Sequence, residues 1–242
     1  RVLYYSGTST TATRVYGQGG SFTTATLNNG GISADSLNLP RSVAISSTGV
    51  YIADMYNCRV LYYSGISTTA TRVYGQPNYT SYGSGTPSET TLNLPMGVVV
   101  DSTGVYIADT DNNRVLYYQG TSTTATRVYG QGGSFTANTA NNGGISSTTL
   151  YYPRGIAVDS TGLYVVDGNN QRVLYYPGTS TTATRVYGQG GEFNTNKQNK
   201  GGIDVDANAN GLYGSMAMAV DSSGVYIADT LNHRVLYYEG AS

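Results

Sequence analysis

Leu94-Pro95-Met96-Gly97-Val98-Val99-Val100-Asp101-Ser102-Thr103-Gly104-Val105-Tyr106-Ile107-Ala108-Asp109-Thr110-Asp111-Asn112-Asn113-Arg114-Val115 is the stretch whose reading decides the fold. Two short apolar runs, 97–101 and 105–109, flank a Ser-Thr-Gly turn, and an Asn-rich turn follows. Neither run has the length or period of a helix, and both are rich in branched and aromatic residues, so they read as strands. A turn this short joins antiparallel neighbours in a hairpin. Next comes Arg114-Val115-Leu116-Tyr117-Tyr118. Its Val and first Tyr fall on one face, its Leu and second Tyr on the other. A Gly-Thr-Ser-Thr-Thr turn then leads into Thr126-Arg127-Val128-Tyr129, the fourth strand of the unit.

The same wording returns along the chain. Arg-Val-Leu-Tyr-Tyr begins at residues 1, 59, 114, 172 and 234, in steps of 58, 55, 58 and 62. Arg-Val-Tyr-Gly-Gln begins at 14, 72, 127 and 185, always 13 residues later. From Ser46, Asp101 and Asp159, which close the first apolar run, to Gln76, Gln131 and Gln189 the count is 30 each time. The unit is therefore a constant cassette followed by a loop that absorbs all variation in period. Four antiparallel strands in a meander make a propeller blade, and the fold class expected is all-β, a β-propeller of about four such blades. The first strands, 42–46, 97–101, 155–159 and 217–221, carry apolar residues on both faces and are expected to be buried on both sides. One array fills 1–242: a partial blade and loop in 1–38, blades with loops in 39–93, 94–151 and 152–212, and a partial blade in 213–242.

At this point the residues resemble an NHL repeat. Its marks are Leu94-Pro95, Val100-Asp101 before the Gly104 turn, Tyr106-Ile107-Ala108-Asp109, and Asn112-x-Arg114-Val115. They recur from Leu39, from Tyr152 and, without Leu-Pro, around Tyr213. The resemblance implies propeller blades. Two features depart from the family pattern: the chain holds only about four blades, and each carries an added loop of about twenty residues.

Charged residues make up 11% of the chain and the net charge is −1, which leaves no basic face for a nucleic acid. Lysine occurs only at Lys197 and Lys200, while arginines stand at repeated positions, an architectural usage. With 24 tyrosines against three phenylalanines and no tryptophan, the sheets are expected to be half-buried and tyrosine-faced. Cys58 is the lone cysteine, so neither an internal disulfide nor a cysteine metal site is expected. No apolar run approaches the ~18 residues of a membrane span. The first residues already belong to a strand, so the sequence reads as a segment, with no signal peptide inside it and room for one upstream.

The loops repeat Asn-Asn-Gly-Gly-Ile or Asn-Lys-Gly-Gly-Ile from Asn28, Asn141 and Asn199, whereas one copy substitutes Pro77-Asn78-Tyr79-Thr80. Loops this long usually have a task. Their near-identical wording favours packing, with Ile32, Ile145 and Ile203 as anchors.

Asp54 with Arg59, Asp109 with Arg114, Asp167 with Arg172 and Asp229 with Arg234 flank the second turn of each unit. Aligned carboxylates are a candidate calcium site, but identical placement in every unit favours a structural pair. No other cofactor is expected. His233 occupies a slot that is Cys58, Asn113 and Gln171 elsewhere and reads as exposed and idle. One histidine builds no histidine-based metal site, and Glu89, Glu192 and Glu239 sit in loops or at segment ends. No nucleophile, base and orienting group share a recognisable spacing, so no catalytic residue is assigned. Asp35, Asp204 and Asp206 do not repeat. Asn78-Tyr79-Thr80 fits the N-glycosylation pattern.

The function expected is a non-enzymatic structural repeat protein, extracellular or at the cell surface, that associates with itself, in a filament or a surface layer. The alternatives are a module binding a glycan, peptide or protein through rim residues such as Tyr79, Tyr151 and Tyr152, and a metal-dependent propeller enzyme. Neither nucleic acid nor membrane insertion is expected.

Overall fold

The computed structural model describes residues 1–200 and 208–240. It opens with a strand pair, β1 (Val2–Tyr5) and β2 (Ala12–Tyr16). Three complete four-stranded antiparallel blades follow. The first is β3 (Pro40–Ser46), β4 (Gly49–Asp54), β5 (Arg59–Ser64) and β6 (Arg72–Tyr74). The second is β7 (Pro95–Val100), β8 (Gly104–Asp109), β9 (Arg114–Gln119) and β10 (Arg127–Gly130). The third is β11 (Pro153–Val158), β12 (Gly162–Asp167), β13 (Arg172–Pro177) and β14 (Arg185–Tyr187). A last sheet of three strands, β15 (Ala217–Val220), β16 (Gly224–Asp229) and β17 (Arg234–Glu239), carries the fourth cassette. This is the expected propeller architecture, with about four blades and open ends.

Each blade turns one face to the blade before it and the other to the blade after it. Ala44, Tyr51, Ala53, Val60 and Tyr62 of the first blade meet Val98, Val105, Ile107, Leu116 and Tyr118 of the second in one buried cluster. Equivalent clusters join the second blade to the third and the third to the last sheet. The near-identical side chains at these positions follow from the near-identical surroundings that a repeat array provides. A tyrosine of each outer strand meets the next blade edge-on: Tyr74 with Tyr118, and Tyr129 with Tyr176, both at 5.1 Å. That geometry suits the ring quadrupoles.

Several details differ from the sequence reading. In the three complete blades the first strands start two residues early, and those of the second and third stop before Asp101 and Asp159; in the last sheet β15 starts at Ala217 as expected. Those aspartates instead accept turn N–H groups, as Asp101 does from Thr103 at 2.7 Å and Gly104 at 2.9 Å. Nor is every first strand buried on both sides. β3 leaves Val43 and Ile45 exposed, because β1 and β2 supply only the outer half of a blade in front of it.

The loops pack, through other residues than expected. Ile32 and Ile145 are only half-buried, and Ile203 lies outside the described residues. The anchors are Leu37, Leu92, Leu150 and Leu212, all fully or nearly fully buried. Each leucine lies over the glycine of Arg-Val-Tyr-Gly-Gln. At Gly130, with φ of 86°, an added Cβ would stand 3.0 Å from Leu150 Cδ1 and from the Asn113 carbonyl oxygen. Only glycine suits that conformation and that approach.

Candidate functional site

The Asp–Arg pairs stand where the second strand of a blade turns into the third. Asp109 Oδ1 accepts the Asn93 N–H at 2.6 Å, and its Oδ2 accepts Arg114 Nε at 2.7 Å and Asn112 Nδ2 at 2.9 Å. Asp54, Asp167 and Asp229 repeat this set. Arg114 spends its other donors on loops: Nη2 on the Ser88 and Thr91 carbonyls before the blade, Nη1 on the Phe135 carbonyl after it. One guanidinium thus ties two loops to a blade. Burial pushes the Asp54, Asp109 and Asp167 carboxyls up, and the arginine, backbone N–H and asparagine at each pull them back. The oxygens face these donors, and among the described residues no three of His, Cys, Asp and Glu gather as metal ligands.

A second tie joins loops to blades. The first Asn of the Asn-x-Gly-Gly motif exchanges amide hydrogen bonds with the Asn of Asn-x-Arg in the following blade. Asn28 and Asn57 do so at 3.0 and 2.7 Å, Asn141 and Asn170 at 2.9 and 2.7 Å. The Pro77 loop has no such asparagine. Gln76, Gln131 and Gln189 all donate into the loop that follows, but only Gln131 and Gln189 do so from positive φ, since Pro77 restricts the residue before it.

The slot shared by Cys58, Asn113, Gln171 and His233 is not idle. All four are left-handed, with φ between 52° and 55°. Asn113 Oδ1 accepts the Tyr152 N–H at 2.8 Å, and Gln171 Oε1 accepts the Gly214 N–H at 2.7 Å. Each reaches the segment that leads into the first strand of the next blade. His233 is exposed, and among the described residues no blade packs over it. The Cys58 thiol faces the Leu94 N–H, and burial pushes it up, away from the reactive thiolate.

Asn78 is exposed, and its Oδ1 accepts from the Thr80 and Ser81 N–H groups, both at 2.9 Å, in a tight turn. Asp35 leaves Oδ1 buried without a hydrogen-bond partner. Asp204 and Asp206 lie outside the described residues. Glu89 and Glu239 are exposed, and Glu192 pairs with Lys200.

What the sequence reading missed lies on the inner strands. They line a cavity of about 560 Å³. Around it stand Arg41, Met96, Arg154 and Met216, the residues that follow Leu39-Pro40, Leu94-Pro95, Tyr152-Pro153 and Gly214-Ser215. The pairing register shifts at Pro40/Ser42, Pro95/Gly97 and Pro153/Ile156, so Arg41, Met96 and Arg154 sit on β-bulges. A bulge re-aims the side chain it carries. Leu39, Leu94 and Tyr152 before them hold φ of 52°, 47° and 58°, costly for bulky residues. The visible signal was a position at which the copies differ while its neighbours agree. Of the rim tyrosines, Tyr152 lines this cavity, Tyr79 packs into the core beside the first blade, and Tyr151 is partly exposed.

No protein-family model matches the sequence, and no curated protein matches it. Solved structures are similar to it. One is from the crystal structure of a nidogen/laminin complex, at 16% identity and TM-score 0.54, covering 86% of this chain and 62% of that one. Another is a structural genomics protein of unknown function from Bacteroides thetaiotaomicron, at 17% identity and TM-score 0.54, covering 83% and 47%. A third is an auxiliary nutrient binding protein from Bacteroides ovatus, at 16% identity and TM-score 0.52, covering 84% and 48%. The chain spans between about half and just under two thirds of those chains. At these identities the likeness establishes the fold, an array of β-propeller blades.

Proposed function

We propose that the chain is a non-enzymatic structural module of NHL-type blades, working outside the cell or at its surface, and that a second copy of the chain covers its open end. The observation that carries this is the outward face of the last sheet. Tyr226, Val235 and Tyr237 are 37%, 66% and 46% exposed. Their counterparts in the third blade, Tyr164, Val173 and Tyr175, are buried under the sheet that follows. A face that three internal junctions bury is written to receive another blade. At the other end, Val43, Ile45 and Leu39 are exposed where a preceding blade would lie. His233 stands ready to accept an N–H from a following blade, and the Leu39 N–H occupies the position that Tyr152 and Gly214 fill inside the array. Only the inner half of this leading face is open, because β1 and β2 already bury Ile52, Leu61 and Tyr63 of the first blade, so a second copy has to seat its inner strands there, a heterologous contact that gives a ring if it closes and a filament if it does not. A net charge of −1 does little to oppose it. The NHL assignment rests on Leu-Pro, Val-Asp, Tyr-Ile-Ala-Asp and Asn-x-Arg-Val standing at the expected places in the blades.

Light scattering across a concentration series tests the association. Mass should rise in whole multiples of the chain, and Val235→Asp should return it to one chain. A parent that stays at one chain at all concentrations overturns the proposal. A second reading, a ligand-binding module, is favoured by one observation, the cavity on the inner strands.

A further inference from the structure

The arginines of this chain fall into classes, and among the described residues one class, at the inner cavity, pairs with no carboxylate. Arg59, Arg114, Arg172 and Arg234 hold aspartates at 2.7 Å. Arg14, Arg72, Arg127 and Arg185 lie over tyrosine rings at 4.0 to 4.7 Å. Arg41 and Arg154 line the inner cavity, and among the described residues neither has a carboxylate within salt-bridge reach. Arg154 is half-buried, its guanidinium 5.2 Å from the centre of the Tyr152 ring. Its Nη1 lies 3.3 Å from Met216 Sδ and its Nη2 3.3 Å from Asn169 Oδ1, both neutral partners that leave the charge uncompensated. Burial disfavours the charge of Arg154, and no carboxylate offsets it. The nearby Asp111 is engaged by the Tyr152 hydroxyl. A planar fork held in place by an aromatic ring, facing an open cavity, is prepared for an oxyanion.

Repeat symmetry supports this. A residue needed for blade packing recurs in every copy, yet here the copies read Arg41, Met96, Arg154 and Met216. A cavity that spans four inner strands meets all four residues at once, which permits such division of labour. Gly97 lets the inner strands close up: a Cβ there would stand 2.5 Å from the Arg154 carbonyl oxygen. The cavity volume of about 560 Å³ is that of small-ligand sites.

The geometry points to a binding site for a small organic anion, its carboxylate, sulfonate or phosphate group held by Arg154 and Arg41 and its apolar body laid against Met96, Met216 and Ile156. This goes beyond end-to-end association and stands whether or not copies associate.

Calorimetric titration of the whole chain with benzoate, uncharged benzamide and inorganic phosphate tests it. Benzoate is expected to bind, and benzamide and phosphate to bind more weakly. Arg154→Met and Arg41→Met place at each bulge the residue that two other copies already carry, so both variants keep the parent's melting temperature. Each should weaken benzoate binding by about tenfold to a hundredfold, the loss expected for a hydrogen bond to a charged group. Lys197→Gln, an exposed cation in a loop, should leave binding unchanged. Benzamide binding as tightly as benzoate, benzoate affinity unchanged in Arg154→Met, or no benzoate binding at millimolar concentration overturns the site. Phosphate binding more tightly than benzoate overturns its apolar half.

Discussion

The third blade and the last sheet are written almost alike and live in different surroundings. Both carry Arg-Val-Leu-Tyr-Tyr after an Asp and a short turn. Yet Val173 is fully buried, while Val235 is exposed. The side chain of Arg172 is wholly buried, while that of Arg234 is 26% exposed. The Arg172 guanidinium also holds the Phe193 carbonyl of the loop beyond it, whereas among the described residues Arg234 donates to its own aspartate and to the loop before it. The difference teaches that burial in a repeat array is conferred by the neighbour, and that one residue carries different weight in an internal and an end position.

That contrast is open to direct attack. The largest effect is expected from Val173→Asp, which places a carboxylate in a closed interface and should cost at least about 4 kcal/mol. At a concentration where the parent is a single chain, Val235→Asp should leave the fold within about 0.5 kcal/mol of the parent. Urea unfolding followed by circular dichroism measures both, and equal losses would contradict the difference in surroundings. Next in size is the ion pair. Asp167→Ala strands Arg172 in the interior and should cost about 3–5 kcal/mol. Asp229→Ala should cost less than half of that, because Arg234 already touches water. Parity between the two would mean that neighbour contacts do not set the strength of the pair.

A third test uses pH. Burial holds the Tyr51 and Tyr164 phenols up at about 12, and pushes those of Tyr63, Tyr118 and Tyr176 up as well. The unfolded chain ionises its phenols near pH 10. Because the folded values are raised, the stability from these rings is complete below about pH 10 and drains away as pH climbs toward 12. Phenolate absorbance and circular dichroism should therefore change together in that window. Phenolate signal from every tyrosine near pH 10, with the fold intact, would contradict the burial described. The smallest effect is expected from Tyr176→Phe. The hydroxyl of Tyr176 is buried without a hydrogen-bond partner, so its removal should shift stability by no more than about 0.5 kcal/mol, in the stabilising direction. A loss well above that would show that the hydroxyl has a partner.

The sequence was legible wherever the cause was local and repeated. Strand alternation, short Gly turns and constant spacing locate the strands to within about two residues, since such patterns follow from backbone geometry alone. The loop anchors were legible in principle, because Leu37, Leu92, Leu150 and Leu212 recur two residues before Leu39, Leu94, Tyr152 and Gly214. The isoleucines after Gly-Gly drew attention from them because glycine turns announce themselves more loudly. The inner cavity was not legible. Its residues come from four units and gain meaning only when β-bulges turn them toward one space.

By itself, then, the sequence determined the blade: which residues pair, where the chain turns, and which faces are apolar. Those features depend on neighbours within a few residues and on the two-residue period of a strand. Tertiary structure alone decided which of the identical faces are covered, that the variable slot bridges to the next blade, and that Arg41 and Arg154 stand without carboxylates around one cavity. Each of these arises from contacts between distant segments, and no local pattern encodes the presence or absence of a neighbour.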